Sequence, residues 1–291
     1  MSKVTVLGAG AMGSRMAARL LQAGHSVTLW NRTQEKLTAL TRAGASSAVT
    51  PRAAVREADF VITMVRDDEA SRSVWLDPAT GALPGLPHGC IGIESSTLSI
   101  GWSCTLAERC AAAGVSFLDA PVVGSRPQAE AGSLIYLVGG EREVLDRAEP
   151  LLRTMGGAVH FAGHHGAGTA VKLAINALFG IQVAALGELL AMMIDVGTDV
   201  ATAMDIIGAT PVCSLAAKGA VGAMLAGNFA PLFPIELVEK DLGYALAAFG
   251  SPAAAPMTTA GRGVFARAVR QGLGAKNLTA IARLYAVHAV R

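Results

Sequence analysis

A lysine and an asparagine, Lys172 and Asn176, lie four residues apart in an otherwise apolar segment. The segment predicts a helix, and residues four apart on a helix share a face, so both side chains can reach one small ligand. An ammonium group can donate a proton to an oxygen that gains negative charge, and an amide can orient the group that carries this oxygen. The pair indicates a binding site for one small polar ligand. The alternative is a lysine that snorkels to solvent and an asparagine that packs between helices.

Three glycines, Gly8, Gly10 and Gly13, follow an apolar run that predicts the first strand. In a βαβ unit the first glycine allows a tight turn, and the second lets the backbone approach a pyrophosphate. The third lets the helix pack closely on the sheet, with its N-terminus toward the phosphates. This context predicts a dinucleotide site. Its predicted residues are Gly8, Ala9, Gly10, Ala11, Met12 and Gly13.

The second predicted strand is followed by Asn31, Arg32 and Thr33. Sites specific for NAD usually place an acidic residue at this point, where it binds the ribose hydroxyls. Here the residue is neutral, the arginine can pair with a 2′-phosphate, and the threonine can donate a hydrogen bond. The sequence therefore predicts NADP(H) as the cofactor, with a solvated surface arginine as the alternative.

Three further segments carry polar or glycine residues at helix starts and strand ends. They are Glu94–Thr97, Asp119–Ser125 with Ala131–Gly132, and Gly166–Asn176. With the N-terminal glycines and Glu239–Leu242, these segments resemble the β-hydroxyacid dehydrogenase family over essentially the whole chain. The family includes 3-hydroxyisobutyrate dehydrogenase, tartronate semialdehyde reductase and the glyoxylate/succinic semialdehyde reductases.

The resemblance implies a role for each matching position. Lys172 matches the family's catalytic lysine, and Asn176 matches its neighbour that orients the substrate. The substrate would lie between the two domains, with Thr97 near the nicotinamide. The substrate-binding residues expected from the resemblance are Thr97, Val123, Gly124, Ser125, Asn176, Phe233 and Asp241. Beyond the glycine segment, the expected cofactor-binding residues are Asn31, Arg32, Thr33, Val65, Thr97 and Lys240.

The chain departs from the family pattern at Val123, where many relatives have serine before the glycine that matches Gly124. The hydroxyl that would help to hold a substrate carboxylate is therefore missing, and Ser125 stands two positions later. The following segment, 126–132, resembles the semialdehyde-reductase branch more than 3-hydroxyisobutyrate dehydrogenase. We therefore expect a small aldehyde, ketone or hydroxy acid as substrate, with or without a carboxylate.

The first half of the chain alternates short apolar runs with alanine-rich stretches, which predicts an α/β Rossmann-type domain at 1–163. The predicted strands are Lys3–Leu7, Ser26–Trp30, Asp59–Val65, Cys90–Glu94, Val115–Leu118, Leu134–Val138 and Val159–Phe161. The predicted helices are Ala11–Gln22, Gln34–Thr41, Glu69–Trp75, Ile100–Ala113 and Glu141–Met155. Residues 164–291 predict an all-α domain that opens with a long helix from Thr169 to about Val196. This apolar helix is expected either at the centre of its domain or between subunits of a homodimer or homotetramer.

Composition narrows the class of protein. Of the 291 residues, 52% are hydrophobic and 16% charged, and the net charge of +2 argues against nucleic acid or an anionic membrane as a partner. The uncharged run Leu173–Gly187 is too short to span a membrane, and the N-terminus has no signal-peptide pattern. Four cysteines lack metal-ligand spacing, and His160, His164 and His165 have no evident metal-binding partners. We expect a cytoplasmic protein without a metal site.

These observations predict an NADP-dependent dehydrogenase or reductase that acts on a small carbonyl compound. One rival is imine reduction, since imine reductases resemble the same architecture but usually lack this lysine. A 6-phosphogluconate dehydrogenase is disfavoured, since that family has a His-Asn dipeptide where this chain has Ile175-Asn176. The third possibility is a non-catalytic dinucleotide-binding scaffold, which would be marked by loss of the lysine.

Overall fold

The computed structural model describes residues 1–285. The chain divides into two compact units, Met1–Lys172 and Leu173–Arg291. The predicted boundary between 163 and 164 lies before this division, because a single helix continues from the first unit into the second. The end of the predicted second domain, 286–291, falls outside the described residues.

The first unit contains nine strands in one sheet. They are β1 (Lys3–Leu7), β2 (Ser26–Trp30), β3 (Ser46–Ser47), β4 (Phe60–Thr63), β5 (Ile91–Glu94), β6 (Ser116–Asp119), β7 (Val122–Val123), β8 (Leu134–Gly140) and β9 (Gly156–Gly163). The order is β3-β2-β1-β4-β5-β6-β8-β7, with β9 paired to β8. In this order, each strand from β3 through β2, β1, β4 and β5 to β6 is parallel to its neighbour. Strand β8 runs antiparallel to β6 and β7. The order reverses beside β1, the switch point where α/β sheets bind ligands.

Helices cover both faces of this sheet, as its apolar strands require. They are α1 (Gly13–Gln22), α2 (Thr38–Arg42), α3 (Pro51–Ala54), α4 (Asp68–Leu76), α5 (Ile100–Ala112), α6 (Arg126–Ala131) and α7 (Arg142–Leu152). Alternate strand residues enter two separate cores, since side chains along a strand point to opposite faces. Val6 and Ile62 pack with α1 and α7, whereas Leu7 and Val61 pack with α4 and α5.

The second unit is helical. Its helices are α8 (Ala167–Asp195, which begins in the first unit), α9 (Val200–Gly208), α10 (Leu215–Leu225), α11 (Ile235–Ala248) and α12 (Pro256–Arg270). By length and composition alone α8 could cross a membrane, since the whole helix is longer than the uncharged run considered from sequence. Of its most apolar stretch, 44% is buried inside the chain. A Cβ at Gly180 would lie 3.2 Å from Val238, so α8 and α11 pack closely there.

The predicted fold class, a Rossmann-type unit followed by a helical one, is confirmed. Sequence analysis missed the two-residue strands β3 and β7, because a pair of residues shows no periodicity. It also missed the short helices α3 and α6, and it started α8 two residues late, at Thr169 rather than Ala167. That start depends on a side chain from β6 rather than on a local capping residue, as described below.

Candidate functional site

The glycine-rich loop between β1 and α1 is shaped by two positions that exclude any side chain. Gly8 has φ +102°, and a Cβ there would lie 2.3 Å from the Met64 carbonyl oxygen. A Cβ at Gly13 would lie 1.9 Å from the Gly8 carbonyl oxygen. Contacts this short are impossible, so both glycines are required for the turn and for the close approach of α1.

The middle glycine is different, because its surroundings are open. No heavy atom lies within 4 Å of the position a Cβ would take at Gly10, and the residue is exposed. The N-cap of α1, Met12, provides no side-chain cap. Open space beside an uncapped helix N-terminus suits the pyrophosphate of a dinucleotide, so the predicted loop fits the group.

Asn31 braces this loop from the end of β2. Its Oδ1 accepts a hydrogen bond from the Ala9 N–H at 3.0 Å, and its Nδ2 donates to the Thr33 carbonyl at 2.7 Å. Both side-chain groups therefore bond to backbone, a structural role that the sequence did not indicate. The next residue, Arg32, is exposed and forms no hydrogen bond or ion pair within residues 1–285.

A buried glutamate supports the next part of the site. Glu94, at the end of β5, accepts hydrogen bonds from Ser71 Oγ at 2.7 Å and from Trp75 Nε1 at 3.0 Å. The Ser96 N–H donates to its other oxygen at 3.1 Å. Burial raises the pKa of the Glu94 carboxyl group, and these hydrogen bonds oppose the rise. Glu94 thus anchors the loop that carries Thr97.

On both sides of Thr97, the same loop is hydrogen-bonded to the segment that leads from β4 into α4. The Val65 N–H donates to Ser96 Oγ at 2.8 Å. On the other side, Asp68 accepts from the Ser99 N–H at 2.9 Å and from the Ser99 hydroxyl at 2.6 Å. The structure therefore brings the segments of Val65 and Thr97 together, as expected if both serve the cofactor.

The segment Val123–Ser125 turns from β7 into α6. Gly124 has φ +126°, and a Cβ there would lie 3.0 Å from Gln128 Cβ. Ser125 is the N-cap of α6, in a capping box with Gln128, whose side chain accepts the Ser125 N–H at 2.9 Å. Ser125 therefore has a structural role at the start of α6 in addition to its expected role at the substrate.

Lys172 lies on the second turn of α8 and is only 7% exposed. The first turn is attached to β6 by Asp119, whose carboxylate accepts from Gly166 and Thr169. A Cβ at Gly168 would lie 2.3 Å from the Leu137 carbonyl oxygen, so the backbone of α8 packs directly against the backbone of β8. The lysine is therefore presented from a fixed point of the first unit.

In the second unit, three predicted residues form one polar group, in which Asn176 and Asp241 are buried and Lys240 is half-buried. Asn176 Nδ2 donates to Asp241 Oδ2 at 2.7 Å, and Lys240 Nζ lies 2.7 Å from Asp241 Oδ1. Lys240 also lies over the Tyr244 ring, 4.4 Å from its centroid. Lys240 was expected to bind the cofactor and Asp241 to bind the substrate, and the structure shows an ion pair between them.

Phe233 is positioned by a residue that sequence analysis missed. The buried Asn277 accepts hydrogen bonds from the Leu232 and Phe233 N–H groups at 3.2 and 3.0 Å. Its own Nδ2 donates to Thr279 Oγ1 at 2.9 Å. No local pattern marks this asparagine as a partner of Phe233, because Leu232 and Phe233 lie more than forty positions away. Within residues 1–285, no group of three or more His, Cys, Asp or Glu residues could hold a metal ion.

Two protein-family models match the chain. Residues 3–163 match the NAD-binding domain of 6-phosphogluconate dehydrogenase, and residues 166–285 match the NAD-binding domain of NADP-dependent 3-hydroxyisobutyrate dehydrogenase. The first unit is thus a nicotinamide-dinucleotide-binding domain, in agreement with its glycine loop.

Known proteins align over almost the entire chain. Glyoxylate/succinic semialdehyde reductase 1 of Arabidopsis thaliana is 31% identical over 96% of both chains. The human cytokine-like nuclear factor N-PAC is also 31% identical over 97% of this chain, which spans only 51% of that protein. The structure of Mycobacterium tuberculosis 3-hydroxyisobutyrate dehydrogenase with L-serine has a TM-score of 0.89 at 28% identity, covering 98% of this chain and 99% of that one. The chain belongs to the β-hydroxyacid dehydrogenase family.

Proposed function

We propose that this chain is an NADP-dependent oxidoreductase. Its reaction is hydride transfer between nicotinamide and a small aldehyde or ketone, or the corresponding hydroxy acid. The observation that carries the proposal is Lys172, a lysine buried on a helix that the first unit holds at its N-terminus. Burial keeps water away from the ammonium group and so strengthens its attraction to negative charge that develops on a substrate oxygen.

In the reductive direction, Lys172 donates a proton to the oxygen of the substrate as this oxygen becomes an alkoxide. Its positive charge also stabilises the developing negative charge. In the oxidative direction, the lysine accepts the proton. Asp241 orients the amide of Asn176 by accepting a hydrogen bond from its Nδ2. The Oδ1 of Asn176 then lies on the side away from the Asp241 carboxylate, where it can accept a hydrogen bond from the hydroxyl group of a hydroxy acid. When bound, the nicotinamide supplies or accepts the hydride.

The exposed Arg32 and Thr33 support NADP(H) over NAD(H). No carboxylate follows β2 at 31–33 to repel a 2′-phosphate, and the guanidinium of Arg32 can pair with it. We expect a preference for NADPH of at least about tenfold in kcat/KM.

The substrates in the names of the relatives guide the choice of carbonyl compound. The Arabidopsis relative is named for glyoxylate and succinic semialdehyde, both short aldehydes with a carboxylate. We propose the same class of substrate here. The valine at 123 predicts weaker dependence on the carboxylate than a serine would give.

A second candidate is dinucleotide binding without turnover, which the similarity to N-PAC, a protein named as a nuclear factor, favours. Imine reduction is the third. Lys172 argues against both, since neither a scaffold nor an imine reductase of the usual type needs this proton donor.

The test is NADPH and NADH consumption with glyoxylate, succinic semialdehyde, tartronate semialdehyde and a cyclic imine. We expect NADPH-dependent turnover of at least one of the three aldehydes. Turnover of the imine alone would establish the imine-reductase alternative. NADPH binding without turnover of any compound would support the scaffold alternative.

We further propose that the chain forms a homodimer or homotetramer through its helical unit. Large apolar side chains are exposed on its helices, among them Leu178, Met192, Ile206 and Leu215. Light scattering after size-exclusion chromatography measures this directly, and a monomer at micromolar concentration would contradict it. The four free cysteines support a cytoplasmic location.

A further inference from the structure

The N-terminus of α8 is capped by a side chain from a distant strand. The residue before the helix is Gly166, which has no side chain to accept the free N–H groups of the first turn. Asp119, the last residue of β6, takes this role. Its Oδ1 accepts the Gly166 N–H at 2.8 Å, and its Oδ2 accepts the Thr169 N–H at 2.9 Å and the Thr169 hydroxyl at 3.1 Å.

Three glycines surround the contact between Asp119 and the start of α8. A Cβ at Gly139 would lie 2.4 Å from Asp119 Oδ1, and a Cβ at Gly168 would lie 2.9 Å from the Asp119 carbonyl oxygen. Gly166 has φ +89°, and a Cβ there would lie 2.7 Å from Cys104 Sγ. Because these distances leave no space for a side chain, the first turn of α8 has little freedom to shift.

The N-terminus of α8 favours the negatively charged form of Asp119. Burial raises the pKa of this carboxyl group, whereas the hydrogen bonds from Gly166 and Thr169 lower it. All three hydrogen bonds are donated to the carboxylate, and the partial positive charge of a helix N-terminus favours an anion. Ser103 Oγ lies 2.9 Å from Thr169 Oγ1 and extends the network to α5.

We propose that Asp119 is a positioning residue for Lys172. By holding Gly166 and Thr169, it sets the rotation and height of the helical turn on which the lysine stands. Lys172 follows Thr169 by three residues, so the two lie on adjacent turns of the same face. The proposal rests on the proposed function, because the position of the ammonium affects turnover only if Lys172 is the proton donor. A misplacement of 1 Å can reduce a rate by about 10²-fold.

The test combines substitutions at both ends of this contact. Asp119→Asn replaces one acceptor oxygen by a donor NH2 group. Thr169→Val removes the hydroxyl at nearly constant volume, and Thr169→Ser keeps it. We expect NADPH affinity within about twofold of wild type for all three variants, since the glycine loop is untouched. Single-turnover hydride transfer should fall at least about tenfold in Asp119→Asn and less in Thr169→Val, with Thr169→Ser near wild type.

Asp199→Asn is the matched control, because Asp199 caps α9 by accepting from the N–H and the hydroxyl of Thr202 in the same way. It should leave hydride transfer unchanged. Wild-type hydride transfer in folded Asp119→Asn would overturn the proposal, even if the melting temperature falls. If Asp119→Asn does not fold, equal rates in Thr169→Val and Thr169→Ser would overturn it. Full turnover in Lys172→Met would instead overturn the proposed function itself.

Discussion

The glycine loop of the first unit and the Asn176–Lys240–Asp241 group of the second are built in opposite ways. The loop consists of consecutive residues and is shaped by backbone contacts, such as the clash that any Cβ at Gly13 would make. The second group joins side chains that are 65 positions apart, linked by the hydrogen bond from Asn176 to Asp241. A loop of the first kind has a local sequence pattern, whereas a group of the second kind is visible only after folding. The two regions should therefore respond differently to substitution.

The largest effect should come from Gly13→Ala. Its new Cβ would lie 1.9 Å from the Gly8 carbonyl oxygen, so the loop or α1 must move. We expect a loss of at least about 2 kcal/mol in the free energy of unfolding, measured with denaturant, and loss of NADPH binding.

Gly10→Ala is the matched control, because no atom lies within 4 Å of its new Cβ. It should keep the wild-type unfolding free energy within about 0.5 kcal/mol and still weaken NADPH binding at least about tenfold. If Gly10→Ala binds NADPH as wild type does, the space beside the loop is not the pyrophosphate site.

In the second unit, Asp241→Ala should cost about 2–3 kcal/mol of unfolding free energy, because it removes the acceptor of the buried Asn176 amide and the carboxylate that Lys240 contacts. NADPH affinity should change little, in contrast to Gly10→Ala, while turnover falls. Asp205→Ala, at an exposed position on α9, is the control. An unfolding free energy equal to that of this control would show that the polar group contributes nothing to stability.

A smaller effect is expected from Arg32→Ala. If the exposed guanidinium pairs with the 2′-phosphate, KM for NADPH should rise about tenfold, equivalent to about 1.4 kcal/mol, while KM for NADH stays the same. Steady-state kinetics with both cofactors measure the difference. Equal changes for NADPH and NADH would assign Arg32 to the protein surface rather than to the phosphate.

The smallest effect is expected from Val123→Ser. A restored hydroxyl can add one hydrogen bond to a charged group, so kcat/KM for glyoxylate should gain about 1–2 kcal/mol over an uncharged aldehyde of similar size. The ratio of the two kcat/KM values is the measurement. An unchanged ratio would place the substrate carboxylate away from residue 123.

Sequence could predict the parts of this molecule that follow local rules. The long parallel strands are continuous apolar runs, and the glycine spacing reports a backbone requirement, so the fold class and the dinucleotide loop were predictable. The two-residue strand β7 was not, since it exists through pairing with β8. Asp119 and Asn277 were also missed as structural residues, because their partners lie 44 to 50 positions away in sequence. The capping box that Ser125 forms at the start of α6 was also missed, while its expected role at the substrate stays a prediction.

The central claim is that Lys172 is the proton donor, and Lys172→Met tests it most directly. The methionine keeps a similar length while removing the charge and all three donors, and a melting curve of the same preparation verifies that the variant is folded. NADPH affinity by fluorescence titration should match wild type. Single-turnover hydride transfer, measured on the same preparation, should fall at least about 10²-fold. Transfer within a few-fold of wild type, with NADPH bound, would contradict the account.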